Sequence, residues 1–428
     1  MGRVLSVAVG VVSTLVAGCG GDLLDPITAL PRQLSVAEQQ LIQADNAFAF
    51  SLFREINRQE EAGQNVFVSP LSVAMALGMT YNGADGTTRV AMAEALELQG
   101  MSINDVNQAY RDLIDLLTGL DGRVEFRIAN SIWHRPAFTP SQAFLDLNQQ
   151  FFDATVQALD FAGPGAAATI NGWVDQNTNG KIPKIVPDPL PDQIVMYLIN
   201  AIYFKGDWTY RFDKDLTRNA PFELAEGGDV SVPMMSREEK HAVRTFGDAD
   251  VTVVELPYSR RAYAMTVVLP RTATGAASLA TELTQERWNG WIVGLGSTSI
   301  FVNLPKFTIE YAVRLNDVLK ALGMAEAFDP CKADFGNMFP SANPGDFYID
   351  DVRHKTFVEV NEEGTVAAAA TSVGIGPTSA PARIEVDRPF IFAIRERLTG
   401  SILFMGKIMD PTVNQPREID SVPEQCQP

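Results

Sequence analysis

The stretch that decides the fold runs from residue 362 to residue 379 and reads Glu362-Glu363-Gly364-Thr365-Val366-Ala367-Ala368-Ala369-Ala370-Thr371-Ser372-Val373-Gly374-Ile375-Gly376-Pro377-Thr378-Ser379. At the two-residue period of a strand, the face that begins at Thr365 and the face that begins at Val366 are both uncharged and free of large side chains. Such a segment can enter the middle of a sheet, although its glycines and Pro377 make it a poor permanent strand. The pattern predicts a strand held in reserve, and the alternative is a flexible Ala/Gly/Ser linker.

The composition predicts a large, soluble globular protein. The chain has 428 residues, of which 46% are hydrophobic and 20% are charged, and its formal net charge is -18. At typical domain sizes this length predicts two or three domains, but no internal linker divides the chain. The negative charge argues against nucleic acid as a partner, because phosphate backbones are bound through clustered Lys and Arg.

Residues 1–18 have the pattern of an export signal, in which Arg3 supplies the positive start and a short apolar run extends from Val4 to Val16. The run is shorter than a typical membrane span. Val16-Ala17-Gly18-Cys19 resembles a bacterial lipobox, in which Cys19 is lipidated and becomes the new N-terminus; the alternative is an ordinary signal peptide. We therefore expect an exported protein, either lipid-anchored at the cell envelope or secreted, in which residues 19–37 form a tether and a lipid is the only link to a membrane.

Cys331 and Cys426 remain once Cys19 is set aside. An exported protein permits disulfides, so the sequence leaves two possibilities, a Cys331–Cys426 bond or two free thiols. Cys and His show no zinc-type spacing. We expect neither a metal nor a cofactor.

Local patterns predict that helices cluster early and strands late. Capping boxes at Ser35–Glu38 and Ser102–Asp105 each open a helix, and Ser69-Pro70 opens an apolar helix over 71–81 that should be buried. Further helices are predicted over 141–152, 166–178 and 313–322, strands over 125–132, 194–204, 251–256, 263–269, 300–311 and 347–360, and a hairpin over 390–395 and 401–408. This order favours an α+β fold over a regular βαβ alternation.

No sequence pattern typical of catalysis is present. GxSxG, SxxK, HExxH, GxGxxG and the P-loop sequence are all absent, and His134, His241 and His354 lie in no catalytic signature. A triad of residues distant in sequence would leave no such pattern, but the expectation is that the chain is not an enzyme.

Seven short motifs, in order along the chain, resemble those of the serpin family. They are Asn65–Ser72, Leu198–Trp208, Leu304-Pro305-Lys306-Phe307, Asp351–Lys355, Glu362-Glu363-Gly364-Thr365, Asp387-Arg388-Pro389-Phe390 and Phe404-Met405-Gly406-Lys407. The resemblance covers residues 38–411 and implies one large serpin domain, which overrides the expectation of several domains. The implied fold is a large central, mostly antiparallel sheet with additional sheets, surrounding helices and an exposed reactive loop at about 362–381, followed by a tail over 412–428.

The resemblance implies an irreversible suicide-substrate inhibitor of serine proteases. In this family a protease attacks the exposed loop and forms an acyl-enzyme, and the freed loop then inserts as a new strand and drags the protease along before deacylation. At about 3.3 Å per residue, fourteen inserted residues would carry the protease roughly 45 Å. The expected partner is therefore a serine protease, held in a covalent acyl complex by a monomeric inhibitor.

Two anchors of the resemblance locate the reactive bond. In inhibitory serpins the reactive residue lies fourteen residues after the hinge glycine and eleven before the proline of the Pro-Phe motif, and Gly364 and Pro389 both point to Thr378. The predicted bond is Thr378-Ser379, with Ile375 as the second choice because loop length varies. A small β-branched residue suits the shallow apolar S1 pocket of elastase-like or subtilisin-like proteases and offers trypsin no cation. Val366 departs from the family pattern, since serpins commonly have Glu at this position. The side chain here is expected to face outward.

The resemblance also assigns roles to three sets of residues. The hinge set, which would permit insertion, is Glu362, Glu363, Gly364, Thr365, Val366, Ala367, Ala368, Ala369, Ala370 and Thr371. The shutter set, a polar cluster that gates the sheet, is Ser69, Ser72, Asn200 and His354. Taken alone, His354 is more typical of a satisfied core histidine, but within this matched set we assign it to the gate. The breach set, at the upper entry point, is Trp208, Lys306 and Glu362, with a Lys306–Glu362 ion pair as a hypothesis. The main alternative function is a non-inhibitory serpin-like binding or structural protein, which the small residues of the hinge argue against.

Overall fold

The computed structural model describes residues 25–237, 239–365 and 383–414. The helices in these ranges are α1 Val36–Gln59, α2 Pro70–Tyr81, α3 Gly86–Ala95, α4 Ile103–Gly119, α5 Gln142–Phe152, α6 Ala166–Asn177, α7 Gly275–Glu282, α8 Gln285–Gly294 and α9 Asn316–Leu319. The strands are β1 Val66–Val68, β2 Glu125–His134, β3 Thr155–Ala158, β4 Met196–Asp207, β5 Asp213–Glu223, β6 Asp229–Ser236, β7 His241–Gly247, β8 Val251–Pro257, β9 Tyr263–Pro270, β10 Gly296–Pro305, β11 Phe307–Arg314, β12 Arg353–Val360, β13 Gly364–Thr365, β14 Arg383–Glu385, β15 Phe390–Glu396 and β16 Ile402–Ile408.

Side-chain caps start the helices where the sequence predicts them. Ser35 accepts from the backbone N–H of Glu38, and the Glu38 carboxylate accepts from the backbone N–H of Ser35, so the capping box of α1 is complete. Ser102 also caps α4 by accepting from the N–H of Asp105, but its hydroxyl donates to the Asp105 carboxylate (2.7 Å), so the reciprocal backbone bond of the predicted capping box is not formed. Ser69 caps α2, which begins at Pro70 and is buried almost throughout, as its apolar sequence predicts.

The strands form two sheets. The six-stranded sheet has the order β11-β12-β13-β4-β2-β3, and the larger sheet has the order β1-β16-β15-β9-β8-β7-β10-β6-β5, with β14 beside β10. Pairing is antiparallel except between β2 and β3 and between β10 and β14. The predicted α+β class and the mostly antiparallel sheet are confirmed.

The two sheets share one apolar core. Phe67 of β1 stacks on Phe392 of β15 and Phe404 of β16, with ring centroids 5.7 and 5.3 Å apart. Phe204 of the six-stranded sheet lies 6.5 Å from Phe404, so the same cluster links the sheets. No helix in the described ranges is long and apolar enough to cross a membrane.

Three sequence predictions have wrong bounds. The stretch 300–311 is not one strand: β10 ends at Pro305 and β11 begins at Phe307 in the other sheet, and the N–H of Lys306 donates to Pro233 O (2.8 Å) at the crossing point. A two-residue period continues across such a bend, so the sequence pattern does not reveal it.

The other two errors lie beside β12. The predicted helix over 313–322 begins only at Asn316, because Val313 and Arg314 still pair with β12, and it ends in a turn over Lys320–Met324 in which Gly323 has a φ of 109°. The predicted strand over 347–360 begins only at Arg353, because the preceding backbone is held by single hydrogen bonds, such as that from Ile349 N–H to Ala327 O.

Candidate functional site

The chain reverses direction after β12 in a tight turn over residues 361–363. The side-chain Oδ1 of Asn361 accepts from the backbone N–H groups of Glu363 (3.1 Å) and Gly364 (3.3 Å), an Asx turn that mimics a backbone turn. The short strand β13 then runs antiparallel to both neighbours, with Thr365 opposite Val360 of β12 and Gly206 of β4. Gly364 and Thr365, two members of the hinge set, thus lie as a strand between β12 and β4.

Gly364 packs so closely against β4 that no amino acid with a side chain would fit at this position. An added Cβ would lie 2.1 Å from Gly206 O and 2.6 Å from the Cα of Asp207, and the φ of Gly364 is 159°. A side chain here would force the turn away from β4, so the position requires glycine.

Aromatic side chains support the turn from below. Trp208 donates from Nε1 to Asn361 O (2.9 Å) and from its backbone N–H to Glu363 O (2.7 Å). Its indole stacks on Tyr258, with centroids 4.5 Å apart, and the Tyr258 hydroxyl lies 3.0 Å from Thr365 Oγ1. The side chain of Thr365 therefore faces the core.

Two buried carboxylates anchor the turn from the other side. Glu362 and Glu363 are 4% and 3% exposed. Lys306 Nζ lies 3.2 Å from Glu362, which also accepts from Thr217 Oγ1 (2.9 Å), and Lys214 Nζ lies 2.6 Å from Glu363. Burial raises the pKa of Glu362, but hydrogen bonds from its own backbone N–H, Thr217 and Lys306 outweigh burial and hold that pKa below its ordinary value. The ion pair hypothesised from the sequence is present in the structure.

Below Thr365 the facing edges of β4 and β12 have no strand partner among the described residues. On this side β4 pairs with β13 only at Gly206 and Asp207, and β12 pairs with β13 only at Val360. We call the gap between β4 residues 196–205 and β12 residues 353–359 the slot. Unpaired strand edges present rows of N–H and C=O groups that can receive another strand.

Cavities occupy the slot along its length. The upper one is lined from both sides by residues that include Ile202, Phe204, Val358 and Thr365. The lower one has a volume of about 750 Å³ and is lined by residues 193–200 on one side, residues 346–355 on the other and α2 behind. The lower cavity therefore extends past Arg353, the first residue of β12.

A segment after α6 crosses the outer face of the slot. Asn179 Nδ2 donates to the Tyr203 hydroxyl of β4 (3.3 Å), and Lys181 Nζ lies 3.5 Å from the Glu359 carboxylate of β12. The Lys181 ammonium also lies 4.5 Å from the centroid of the Phe357 ring, within the range of a cation–π contact. These contacts tie the two edges of the slot together from outside.

The four residues of the shutter set lie together where α2 meets the slot. His354 Nε2 accepts from the backbone N–H of Ser69 (2.9 Å), and Ser69 Oγ accepts from the N–H of Ser72 (3.3 Å). Ser72 Oγ donates to Asn200 O (3.5 Å). The structure thus brings together residues that are up to 285 positions apart in sequence.

His354 is held in its neutral form. Burial lowers its pKa to about 4, and a ring nitrogen that accepts from Ser69 N–H cannot also carry a proton. The other ring nitrogen, Nδ1, therefore carries the hydrogen. His354 and Asn200 both line the lower cavity, and Asn200 Oδ1 is buried with no hydrogen-bond partner among the residues that the structure describes.

Several predicted site residues lie outside the described residues. They are Cys19, Val366, Ala367, Ala368, Ala369, Ala370, Thr371, Thr378, Ser379 and Cys426. Cys331 is exposed and forms no disulfide within the described part of the chain, so its pairing with Cys426 stays a prediction. No group of three or more His, Cys, Asp or Glu side chains that could hold a metal occurs in the described ranges.

Sequence reasoning missed several residues that support the turn and the shutter set. They are Asn130, Lys214, Thr217, Tyr258 and Asn361. Asn361 had a signal, because Asn shortly before a Gly is typical of an Asx turn. The others are ordinary strand or loop residues whose partners are distant in sequence, so no local pattern marks them.

Comparison with known proteins assigns this architecture to a class. The family model described as Serpin (serine protease inhibitor) matches residues 43–411. The chain therefore belongs to the serpin family, a family of protease inhibitors and not of enzymes, as the sequence predicts.

Particular relatives cover nearly the whole domain. Leukocyte elastase inhibitor from Homo sapiens is 33% identical over 385 residues, covering 87% of this chain and 100% of that protein. The native state of the thermophilic serpin tengpin superimposes with a TM-score of 0.77 at 31% identity, covering 90% of this chain and 97% of that chain. Human thyroxine-binding globulin complexed with its hormone has a TM-score of 0.78 at 27% identity, covering 88% and 100%.

The neutral His354 makes stability depend on pH in a defined window. Its pKa of about 4 lies below the ordinary 6.5, so its contribution is present above pH 6.5 and is lost as pH falls toward 4. His354→Gln keeps an acceptor for Ser69 N–H but does not titrate. We expect urea unfolding to show a loss of about 3 kcal/mol between pH 6.5 and 4 in the wild-type protein that the variant lacks. Parallel pH profiles would show that His354 is not the titrating group.

Proposed function

We propose that this chain is an irreversible suicide-substrate inhibitor of elastase-like or subtilisin-like serine proteases, and that it acts as a monomer. The observation that carries the proposal is the position of β13, which starts a strand at the top of the slot. In the described ranges this strand pairs with β4 only at Gly364 and Thr365, while the slot continues below them. The chain that follows Thr365 is the stretch whose small residues predict a reserved strand.

The register of β13 supports insertion of the following residues. Six positions beyond Thr365 lies Thr371, and six positions back along each neighbour lie Asn200 on β4 and His354 on β12. Because side chains alternate along a strand, Thr371 would face the core as Thr365 does. Its hydroxyl would meet the unpartnered Oδ1 of Asn200 and the Nδ1–H edge of His354, both of which line the lower cavity. Asn200 Oδ1 would thereby gain a hydrogen-bond donor, which it lacks among the described residues.

The same count carries the inserted strand to the predicted reactive residue. In this register β12 residues 353–359 would pair with residues 366–372 of the inserted strand. The same count brings Thr378, thirteen positions beyond Thr365, near Gln193 and Phe347, which lie past the first residues of β4 and β12 and line the lower cavity. This continuation of the cavity beyond the slot supports cleavage at Thr378-Ser379 followed by insertion of residues 365–378. We propose these residues, with the hinge, shutter and breach sets, as the functional site of a serpin domain over 38–411.

A non-inhibitory binding role is the second candidate. Human thyroxine-binding globulin, which shares this fold, is solved in complex with its hormone. In the present chain the inward positions of the reserved strand are Thr365, Ala367, Ala369 and Thr371, and these small residues favour insertion. We therefore rank inhibition first.

Incubation with proteases separates the two functions. With pancreatic elastase or subtilisin we expect a complex that survives SDS denaturation, and sequencing of the released fragment should begin at Ser379. Trypsin should form no complex, because Thr378 offers its pocket no cation. Inhibition would be contradicted if elastase and subtilisin cleave the chain without forming an SDS-resistant complex and the cleaved chain gains no thermal stability.

A pair of arginine substitutions tests insertion itself. Thr365→Arg places a charge on the buried face, where Thr365 is 3% exposed, and should convert the inhibitor into a substrate: cleavage continues and the stoichiometry of inhibition rises at least about tenfold, since an unpaired buried charge costs several kcal/mol. Val366→Arg is the matched control, because its side chain would face outward in the inserted strand. Equal effects of both substitutions would contradict insertion in this register.

We further propose that residues 1–18 are an export signal, that Cys19 is lipidated and that residues 19–37 tether the inhibitor at the cell envelope. The lipobox-like sequence Val16-Ala17-Gly18-Cys19 supports this proposal. Expressed in a bacterium with a lipoprotein pathway, the mature protein should begin at a diacylated Cys19 by mass spectrometry and fractionate with membranes, while Cys19→Ala should not. An unmodified N-terminus in the wild-type protein would instead indicate secretion through an ordinary signal.

A further inference from the structure

A buried carboxyl group lies between α1 and α4, outside the hinge and the shutter set. Asp45 of α1 is 7% exposed, and its Oδ1 accepts from the Tyr110 hydroxyl of α4 at 2.9 Å. Its Oδ2 is buried with no hydrogen-bond partner in the described part of the chain. An ionised carboxylate in this place leaves half of its acceptor capacity unused in an apolar interior, which is costly. The site therefore favours the protonated acid.

A continuous series of contacts leads from Asp45 to the slot. The Tyr110 ring packs against Phe152 of α5, with centroids 5.2 Å apart. Phe152 O accepts from Asn130 Nδ2 (2.7 Å), and Asn130 Oδ1 accepts from Asn200 Nδ2 (2.8 Å). Asn200 lies on β4 and lines the slot.

Tight packing leaves Tyr110 little room to move alone. A Cβ added to Gly78 of α2 would lie 3.0 Å from the Tyr110 ring and 3.3 Å from the Phe152 ring, so both rings press on the backbone of α2. The same helix carries Ser72, whose hydroxyl donates to Asn200 O. A displacement of Tyr110 must therefore shift Phe152 or α2, and both contact residues that border the slot.

We propose that Asp45 and Tyr110 form a proton-controlled latch between α1 and α4, which holds the strands bordering the slot in place when Asp45 is protonated and eases their separation when Asp45 is ionised. This inference rests on the proposed function, since opening of the slot matters only if a strand enters it. The bistable element is the pair of edges on β4 and β12, which can stand unpaired or receive a strand.

The direction of the effect follows from the protonation of the native protein. Burial raises the pKa of Asp45 from 3.8 to about 7, against a smaller lowering by the hydrogen bond from Tyr110. Because the pKa of Asp45 is raised in the folded state, protonated Asp45 stabilises the closed latch fully below pH 4, and this stabilisation is lost as pH rises through 7. Between pH 6 and 8 the equilibrium constant for keeping the latch closed falls by up to about tenfold.

The titratable neighbour that acts on Asp45 is Tyr110. α2, which also packs on α1, carries no charged side chain. The charged groups of α1 and of the other elements that pack on it are Glu38, Arg54, Glu55 and Arg58 of α1, Asp105, Arg111, Asp112 and Asp115 of α4, Glu282 of α7, Glu286 and Arg287 of α8, Asp317 of α9, Lys320 of the following turn and Lys407 of β16. Their charges do not contribute to the shift at Asp45.

Uptake of a synthetic peptide measures the opening of the slot without any protease. The probe is a fluorescein-labelled 14-residue peptide with the sequence of residues 365–378, mixed with the intact protein at pH 6 and pH 8. We expect the wild-type protein to incorporate it up to about tenfold faster at pH 8, and Asp45→Asn to incorporate it at the same rate at both values. Tyr110→Phe keeps the ring on Phe152 but loses the hydrogen bond to the ionised acid, so its pH midpoint should move upward. Asp112→Asn, on the other face of α4, is the matched control and should behave as wild type.

The outcomes separate the latch from the proposed function. If peptide uptake by Asp45→Asn still depends on pH, the latch is wrong, but insertion into the slot is not contradicted. A Tyr110→Phe midpoint equal to wild type also contradicts it, since a purely structural role for Tyr110 would not predict a shift. If no variant takes up the peptide at either pH, insertion into the slot is wrong, and the latch, which acts through the slot, falls with it.

Discussion

The structure depends on two strand edges at the centre of a sheet that are kept apart. β4 and β12 face each other across the slot, and in the described ranges only Gly364 and Thr365 pair with them on those sides. Backbone N–H and C=O groups in such a place remain without the ladder bonds that a completed sheet would supply. The energy of completing the ladder is therefore still available to the folded protein. The chain that can release it begins at the turn after β12.

The surrounding contacts govern when this energy is released. The turn is fixed by Asn361 and by the pairing of Lys306 with Glu362, and the slot is bridged on its outer face by Asn179 and Lys181. Behind it the shutter set joins α2 to both edges through Ser69, His354 and Asn200. The contacts across the slot join its two edges to each other, while the turn fixes the point at which an entering strand would begin. Together they supply the local stability that keeps the unpaired arrangement in place, as expected of a protein whose function requires a later rearrangement.

The sequence predicts the fold well where a local rule applies. Ser35 and Ser102 cap helices where the sequence predicts them, and Ser69-Pro70 opens the predicted buried helix. The sequence prediction is wrong at Lys306, because a two-residue period cannot show that β10 and β11 belong to different sheets. It is also wrong at Val313, because the pairing of Val313 with His354 in the sheet overrides its helical pattern. Tyr258 and Asn130 escaped notice for the same reason: their partners, Thr365 and Asn200, are set by the tertiary fold. The motif resemblance grouped Ser69 with His354, which no local spacing could do.

The fit of Gly364 against Gly206 fixes more than the position of a turn. Because Gly364 and Thr365 are held in one register, each later residue of a strand inserted below them would face the core or the solvent according to whether it lies an even or an odd number of positions from Thr365. A change in loop length by two residues preserves this assignment, while a change by one residue exchanges the two faces below the point of change. A close contact between two glycines thus decides which side chains of an inserted strand would face the core.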